Sequence, residues 1–225
     1  MVEDVKLDLA RSERIGIGEA ILCAQKSPQQ IAKILDLAGP ATAGLLLTRL
    51  TPDKFAAVER MSGAELDYDE LSQTAYFKFS PAVPEVVNQV AVVAAGTSDS
   101  IVAREALRTL AFNGVGATAI LDVGVAGLWR LMERLDDIRA HRVVIAVAGM
   151  DAALVSVLGG LIAQPLIAVP TSAGYGAARD GETALAAALA SCAPGVTVCN
   201  IDNGYGAACA ALRIIGRPSA GGDAA

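Results

Sequence analysis

The pattern of apolar and polar positions divides the chain into two parts near Pro81 and Pro84. In the first part, short apolar runs at 18–24, 41–50 and 71–80 predict strands, and 29–38 and 53–61 predict helices between them. The first of these helices follows Ser27-Pro28-Gln29-Gln30, a capping-box pattern with proline at N1. We therefore predict a small α+β domain over residues 1–84.

From about residue 86, apolar runs alternate with helical segments. The runs lie at 87–96, 116–124, 142–150, 165–172 and 196–201, and helices are predicted at 99–114, 127–141, 152–163, 181–192 and up to about 215. Repeated βα units with short connections predict a parallel sheet that helices cover on both faces. We assign this α/β domain to 85–217 and predict that the tail, 218–225, is disordered.

Composition narrows the function classes. Hydrophobic residues make up 53% of the 225 residues but aromatics only 4%, so small aliphatic side chains must build the core. The net charge of −6, without clustered Lys or Arg, argues against a nucleic-acid surface. Neither a secretory h-region nor an uncharged run of transmembrane length is present. We expect a cytoplasmic protein without a membrane partner.

Small and polar residues follow every predicted strand of the second part. Ligands of such sheets bind beyond the carboxyl ends of the strands, near a topological switch point. The segments there are 96–99, 122–127, 149–151, 170–176 and 200–206. There is no Walker motif, and no GxGxxG follows the first strand, which disfavours a standard dinucleotide oxidoreductase.

The side chains in these segments have two interpretations each. Ser98 and Asp99 either cap a helix or hold a phosphate and a ribose. Asp151 is either a helix cap or a general base. Asp202 and Asn203 either cap the last helix or, for Asp202, bind a divalent cation. The glycine-rich 170–181 segment is either a phosphate cradle or lid, or an ordinary turn.

Of the four cysteines, Cys23, Cys199 and Cys209 are interpreted as small buried hydrophobic residues. The spacing does not match a structural zinc site. Cys192 ends a predicted helix, where the dipole does not favour a thiolate. The residues alone leave a nucleophile and inert packing both open for Cys192.

Several motifs resemble one family. GTSD, DVGVAGLWR, AVAGMDAALVSVLGGL, PLIAVPTSAGYGA, and SCAPG followed by NIDNGYGA resemble LarB, the carboxylase/hydrolase of the nickel-pincer cofactor pathway. LDLARSERIGIGEAILCAQKS, LLTRLTPDKF and LDYDELSQTA resemble its N-terminal part. The second domain is also similar to PurE, the carboxyaminoimidazole ribonucleotide mutases. The resemblance implies an α/β, flavodoxin-like (PurE-like) doubly wound sheet after a small α+β domain, and a homo-oligomer, an octamer.

The resemblance also implies a reaction. Nicotinic acid adenine dinucleotide is carboxylated with CO2 or bicarbonate at C5 of its pyridinium ring, and its phosphoanhydride is hydrolysed to release AMP. Cys192 would be the nucleophile, Asp151 a general base or water-positioning group, and Asp202 a ligand of Mg²⁺; no organic cofactor is expected. The residues that we predict to bind substrate are Gly96, Thr97, Ser98, Asp99, Gly124, Gly127, Gly149, Met150, Ser172, Gly174, Tyr175, Gly176 and Asn203.

The chain departs from both patterns. Ala153 stands where PurE enzymes carry a histidine, and His141, the single histidine, is expected to be a solvated surface residue. The LarB pattern has Glu in the place of Asp151 and commonly His in the place of Trp129. We expect the Trp129 side chain to pack against its neighbours. A base displaced by about 1 Å loses on the order of a hundredfold in rate. A PurE-like carboxylase or mutase acting on aminoimidazole ribonucleotide and a non-catalytic nucleotide-binding regulator are the alternative functions.

Overall fold

The computed structural model describes residues 5–39, 42, 44–82 and 88–216. The first domain contains α1 (Arg11–Ile15), β1 (Ala20–Leu22), α2 (Pro28–Ala38), β2 (Leu45–Thr48), α3 (Pro52–Ser62), β3 (Leu66–Asp69) and β4 (Thr74–Phe77). Its sheet has the order β1-β2-β4-β3, with β1 and β2 parallel and the other pairs antiparallel. The prediction omitted α1 and β3.

The predicted capping box at the start of α2 is confirmed. The Ser27 hydroxyl accepts from the Gln30 amide N–H at 3.2 Å, and the Gln30 side chain accepts from the Ser27 amide N–H at 2.9 Å. Both backbone donors would otherwise lack a partner in the first turn.

The second domain is the predicted α/β fold. Its strands are β5 (Val90–Ala94), β6 (Ala117–Ile120), β7 (Val143–Ala148), β8 (Leu166–Pro170) and β9 (Thr197–Val198). All pairs are parallel, in the order β6-β5-β7-β8-β9. The helices are α4 (Ser100–Phe112), α5 (Leu128–Glu133), α6 (Leu135–Arg139), α7 (Ala153–Leu161), α8 (Glu182–Leu189) and α9 (Gly204–Ile215).

Two layers of helices cover this sheet. Val90, Val92 and Ala94 of β5 face a core that α4 and α9 complete, whereas Ala91 and Val93 face the side of α5 to α8. Strand β6 pairs with one side of β5, and β7 pairs with the other side. The direction in which strands are added to the sheet therefore reverses at β5, and a crevice opens there at the carboxyl ends of the strands. The single helix predicted over 127–141 is instead α5 and α6, separated at Arg134, where φ is −103° and ψ is 3°.

An aromatic cluster joins the two domains. Tyr76 of β4 packs against Phe112 of α4 with ring centroids 6.1 Å apart. The Tyr76 hydroxyl donates to the Arg108 carbonyl at 2.8 Å, and the Arg108 guanidinium lies 4.0 Å from the Tyr76 ring centroid. The first domain therefore docks on α4, next to the crevice.

Among the described residues, no helix has both the length and the hydropathy needed to cross a membrane. Pro84 and the predicted tail, 218–225, lie outside the described residues.

Candidate functional site

The loop after β5 is held by its own aspartate. Asp99 is buried, and its carboxylate accepts from the Gly96 amide at 2.9 Å and from the Thr171 hydroxyl at 2.6 Å. Burial raises the pKa of Asp99, although both hydrogen bonds act in the opposite direction. Asp99 thus ties the β5 loop to the β8 loop and leaves the neighbouring Ser98 exposed.

A glycine permits the loops after β7 and β8 to touch. A Cβ on Gly149 would lie 2.3 Å from the Ala173 carbonyl oxygen and 2.7 Å from the Thr171 hydroxyl oxygen. The adjacent Met150 amide donates to the same Ala173 oxygen at 2.9 Å. Gly149 is therefore needed for close approach of two loops, and only glycine fits there.

A cleft of about 460 Å³ lies between the two domains at this edge of the sheet. This volume falls within the range of small-molecule sites, roughly 300–1,000 Å³. The second domain lines it with Ser98, Ile101, Val102, Glu105, Thr171, Ser172, Ala173 and Asp202. The first domain lines it with Ala24, Arg49, Thr51, Ser72 and Gln73.

Glu105 is a buried carboxylate in the wall of the cleft. It is 4% exposed and accepts from the Thr48 hydroxyl at 2.5 Å and from the Tyr205 amide at 3.1 Å. Because Tyr205 lies in the first turn of α9, this carboxylate also completes the start of that helix. Burial raises the pKa of Glu105, an effect that the bond from Thr48 and the nearby Arg49 oppose.

Arg49 reaches from the first domain to the second. Its guanidinium Nη2 donates to the Asp202 carbonyl oxygen at 2.7 Å. The Asp202 carboxylate in turn accepts from the Ser172 amide at 2.8 Å. Arg49, Gln73 and Asp202 all line the cleft with φ between 51° and 55°, in the left-handed region that favours glycine. Non-glycine residues in this conformation are typical of functional sites.

The structure brings three of the predicted site residues, Ser98, Ser172 and Asp202, to this cleft. Asn203 caps α9, since its side chain accepts from the Gly206 amide at 2.8 Å. One Asp151 oxygen accepts from the Ala153 amide at 3.3 Å, and the side chain is otherwise exposed at the carboxyl edge. Within the described residues, no three His, Cys, Asp or Glu side chains converge on one point as metal ligands would.

The other predicted binding residues do not line the cleft. Gly96, Thr97, Gly124, Gly127, Gly149, Met150, Gly174, Tyr175 and Gly176 lie in the loops at the carboxyl edge. Met150 is 48% exposed and Tyr175 is 82% exposed. Trp129 is 65% exposed on α5, so the prediction that it packs is wrong for the single chain. An apolar surface rims this edge of the sheet.

Cys192 lies away from this edge. Helix α8 begins near the carboxyl end of β8 and runs antiparallel to the sheet, and Cys192 follows it, before β9 pairs Thr197 with Ile167 near the start of β8. The preceding Ser191 hydroxyl bonds that of Ser156 on α7 at 2.8 Å. Cys192 is exposed. In one chain it is therefore at the amino edge of the sheet, on the opposite side from Asp151.

The prediction of small buried residues is confirmed for Cys23, whereas Cys199 and Cys209 are half-buried. Cys23 is fully buried, and burial raises the pKa of its thiol to about 12. Cys199 and Cys209 pack against the core on the α4 and α9 side, and burial raises the pKa of both thiols. Among the cysteines, Cys192 alone has the exposure that a nucleophile needs.

The prediction for His141 is half right. It precedes β7 at the amino edge, as expected, but it is 5% exposed rather than solvated. Its Nδ1 lies 2.8 Å from the Asp137 carbonyl oxygen and its Nε2 lies 2.7 Å from the Thr118 hydroxyl. The reason is the neighbouring strand β6, which supplies Thr118. His141 is a structural residue far from the cleft.

Sequence reasoning missed Arg49, Gln73 and Glu105. The role of Glu105 could have been predicted from the sequence. This residue falls on the apolar face of α4, one turn from Val102 and Thr109, where a buried charge requires a partner. Arg49 and Gln73 carried none, since their place depends on how the two domains dock.

Two family models match the chain: LarB/PurE-like N-terminal domain over residues 1–79 and AIR carboxylase over residues 89–221. An uncharacterized protein of Methanocaldococcus jannaschii is 34% identical over 211 residues, which cover 91% of this chain and 81% of that protein. Both matched domains support an enzyme of the carboxylase type. With its N-terminal and catalytic parts matched in this order, the chain belongs to the LarB family and carries a PurE-like AIR carboxylase domain.

Proposed function

We propose that this protein carboxylates nicotinic acid adenine dinucleotide at C5 of the pyridinium ring and hydrolyses its phosphoanhydride, giving pyridinium-3,5-biscarboxylic acid mononucleotide and AMP. The observation that carries the proposal is the interdomain cleft. It joins hydroxyls, carboxylates, an arginine and an apolar wall beside the carboxyl ends of β5 and β8, in a domain that matches the AIR carboxylase family model. A nucleotide presents a complementary set of groups, namely a planar ring, ribose hydroxyls and phosphate.

The carboxylation requires a nucleophile that also leaves. A pyridinium carbon is electrophilic and does not attack CO2. Addition of a thiolate to the ring makes the neighbouring C5 an enamine carbon, which forms a C–C bond to CO2. A base then removes the C5 proton, and the electron pair expels the thiolate and restores the aromatic ring. Asp151 is the base in this proposal, since its second carboxylate oxygen has no hydrogen bond within the described residues.

In this proposal a second copy of the chain supplies Cys192. Because Cys192 and Asp151 lie at opposite edges of one sheet, a thiolate at the cleft comes from a neighbouring subunit. Exposed apolar side chains flank both positions: Leu189 is 69% exposed beside Cys192, and Met150 and Tyr175 are exposed near Asp151. Such surfaces are typical of protein contacts. We therefore expect a homo-oligomer, an octamer by the family resemblance, with composite sites.

The hydrolytic half has a different requirement. Attack of water on a phosphoanhydride adds negative charge to the phosphate oxygens, and Mg²⁺ would neutralise that charge when bound. Magnesium sites commonly use one or two carboxylates and fill the remaining positions with water and substrate phosphate. Asp202 fits this mode, because it lines the cleft and one of its carboxylate oxygens accepts from Ser172, while the other has no hydrogen bond within the described residues. Asp202 as a ligand of Mg²⁺ is part of this proposal.

The first experiment is an incubation with nicotinic acid adenine dinucleotide, bicarbonate and magnesium, read by mass spectrometry. Wild type and Cys199→Ala, the control for loss of a thiol, should release AMP and a mononucleotide that has gained one carboxyl group. Cys192→Ala should release neither AMP nor the carboxylated mononucleotide. Product from Cys192→Ala at the wild-type rate would exclude the thiolate route. Binding without turnover by wild type would favour the regulator, and Asp151→Glu would then test whether the shorter carboxylate is the cause.

A mixing experiment tests the composite site. Cys192→Ala and Asp151→Asn are each expected to be inactive. If sites form between copies, subunits exchanged between the two variants should recover about a quarter of wild-type activity, because random pairing restores one intact site in four. A site confined to one chain would recover no activity on mixing.

A further inference from the structure

We propose that Arg49 of the N-terminal domain is the phosphate-binding residue of the interdomain cleft. The N-terminal domain would then take part in substrate recognition and not only cover the catalytic domain. The ligand class is a nucleoside monophosphate group, either free or as half of a dinucleotide. The choice of nicotinic acid adenine dinucleotide as its source rests on the proposed function; the contact itself does not.

The backbone on both sides of Arg49 is fixed. Thr48 is fully buried and its hydroxyl bonds to Glu105 of the other domain. Leu50 donates its amide to the Gln73 carbonyl at 2.8 Å. Between these anchors Arg49 has φ of 55°, in the left-handed region that is unfavourable for a residue with a Cβ. The side chain is consequently directed across the domain boundary, to the carbonyl of Asp202.

The Arg49 guanidinium has N–H donors that no hydrogen bond within the described residues uses. Arg49 is exposed, and its one hydrogen bond within the described residues uses Nη2. A guanidinium carries five N–H donors in a planar fork that matches two phosphate oxygens. Among the described residues that line the cleft, Arg49 is the only lysine or arginine. Among the described residues that line the cleft, only Arg49 can therefore form an ion pair with a bound phosphate.

The rest of the cleft selects a nucleotide over a bare anion. Glu105 and Asp202 place two carboxylates in the same cleft, and these disfavour an anion that has no donors of its own. Ribose hydroxyls are such donors, and the Ser98 and Ser172 hydroxyls that line the cleft can accept from them. Ile101 is 49% exposed at the cleft and offers an apolar surface to a planar ring. A nucleotide would then place its phosphate at Arg49, its ribose at the serine hydroxyls and its ring at Ile101.

The test is isothermal titration of the full chain with AMP, adenosine and nicotinic acid mononucleotide. Arg49→Met should weaken AMP binding by about 10- to 100-fold, the range for one lost charge-assisted contact, and leave adenosine binding unchanged. Arg49→Lys keeps a cation without the fork and should lie between. Arg60→Met, which removes an exposed cation at the far end of α3, should match wild type. If nicotinic acid mononucleotide rather than AMP shows the Arg49 dependence, the cleft holds the pyridine half.

Several results would overturn the proposal. One is wild type that binds none of the three ligands at millimolar concentration, roughly the weakest affinity of interest. Another is equal weakening of AMP and adenosine by Arg49→Met, which would make Arg49 a residue that shapes the cleft. A third is affinity within twofold of wild type for both Arg49 variants. None of these readouts needs turnover, so absence of carboxylation would count against the proposed function and leave this inference standing.

Discussion

Replacing Thr48 with valine isolates the hydroxyl that joins the two domains. The Thr48 hydroxyl donates to the Glu105 carboxylate at 2.5 Å, and both residues are buried, so solvent does not screen the bond. Valine has nearly the same shape as threonine and leaves no cavity. The loss is therefore that of one hydrogen bond to a buried charge, about 1.5–3 kcal/mol. With an m-value of about 2 kcal/mol/M in urea, the midpoint should fall by roughly 1 M.

The assay is urea unfolding followed by circular dichroism, with Thr48→Ser as the matched control. Serine keeps the hydroxyl and loses one methyl group, which costs about 0.8 kcal/mol before relaxation. We expect valine to destabilise more than serine, although valine is the larger and more apolar residue. If valine is tolerated as well as serine, or stabilises the protein, the bond to Glu105 contributes no stability and the reasoning is refuted.

Further predictions concern the site and its surroundings. Because the pKa of Glu105 is raised in the folded state, the native protein binds the proton more tightly than the unfolded chain, so this group's contribution to stability improves as pH falls from neutrality toward the ordinary Glu range. The unfolding free energy of wild type relative to Glu105→Gln should therefore rise as pH is lowered from 7 to 5, and a flat difference would contradict it. Gly149→Ala should separate the β7 and β8 loops and weaken nucleotide binding at least tenfold, which calorimetry checks; unchanged binding would mean that the loops shift without consequence. His141→Phe should cost about 1–3 kcal/mol in chemical denaturation, because two hydrogen bonds worth about 0.5–1.5 kcal/mol each are lost, to the Asp137 carbonyl and to the Thr118 hydroxyl. A cost below about 0.5 kcal/mol would mean that both bonds are dispensable.

The parallel sheet was predictable for a physical reason. Strands β5, β7 and β8 are buried on both faces, so each is a continuous apolar run that stands out from the helices. Strand β3 was missed because Asp67 and Asp69 interrupt it at the edge of the smaller sheet, where one side faces solvent. The break at Arg134 was missed because both halves of the segment keep helical periodicity.

The site was predictable only where it depends on strand ends. Ser98, Ser172 and Asp202 follow strands, and parallel strands bring their carboxyl ends together, so all three reach one cleft. Burial of His141 depends on Thr118 of the adjacent strand, and the role of Arg49 depends on docking of another domain. Such contacts join residues distant in sequence, and no local pattern encodes them.

Three residues that line the cleft have a left-handed backbone conformation, which lowers stability but positions side chains for binding. Arg49, Gln73 and Asp202 each hold a conformation that glycine would adopt without strain. Glycine at any of them would relax the backbone and would also remove a side chain from the cleft. Selection for heat resistance alone should therefore favour glycine at these positions, although glycine would weaken ligand binding. Retention of Arg49, Gln73 and Asp202 in variants selected for heat resistance would therefore indicate that their side chains are in use.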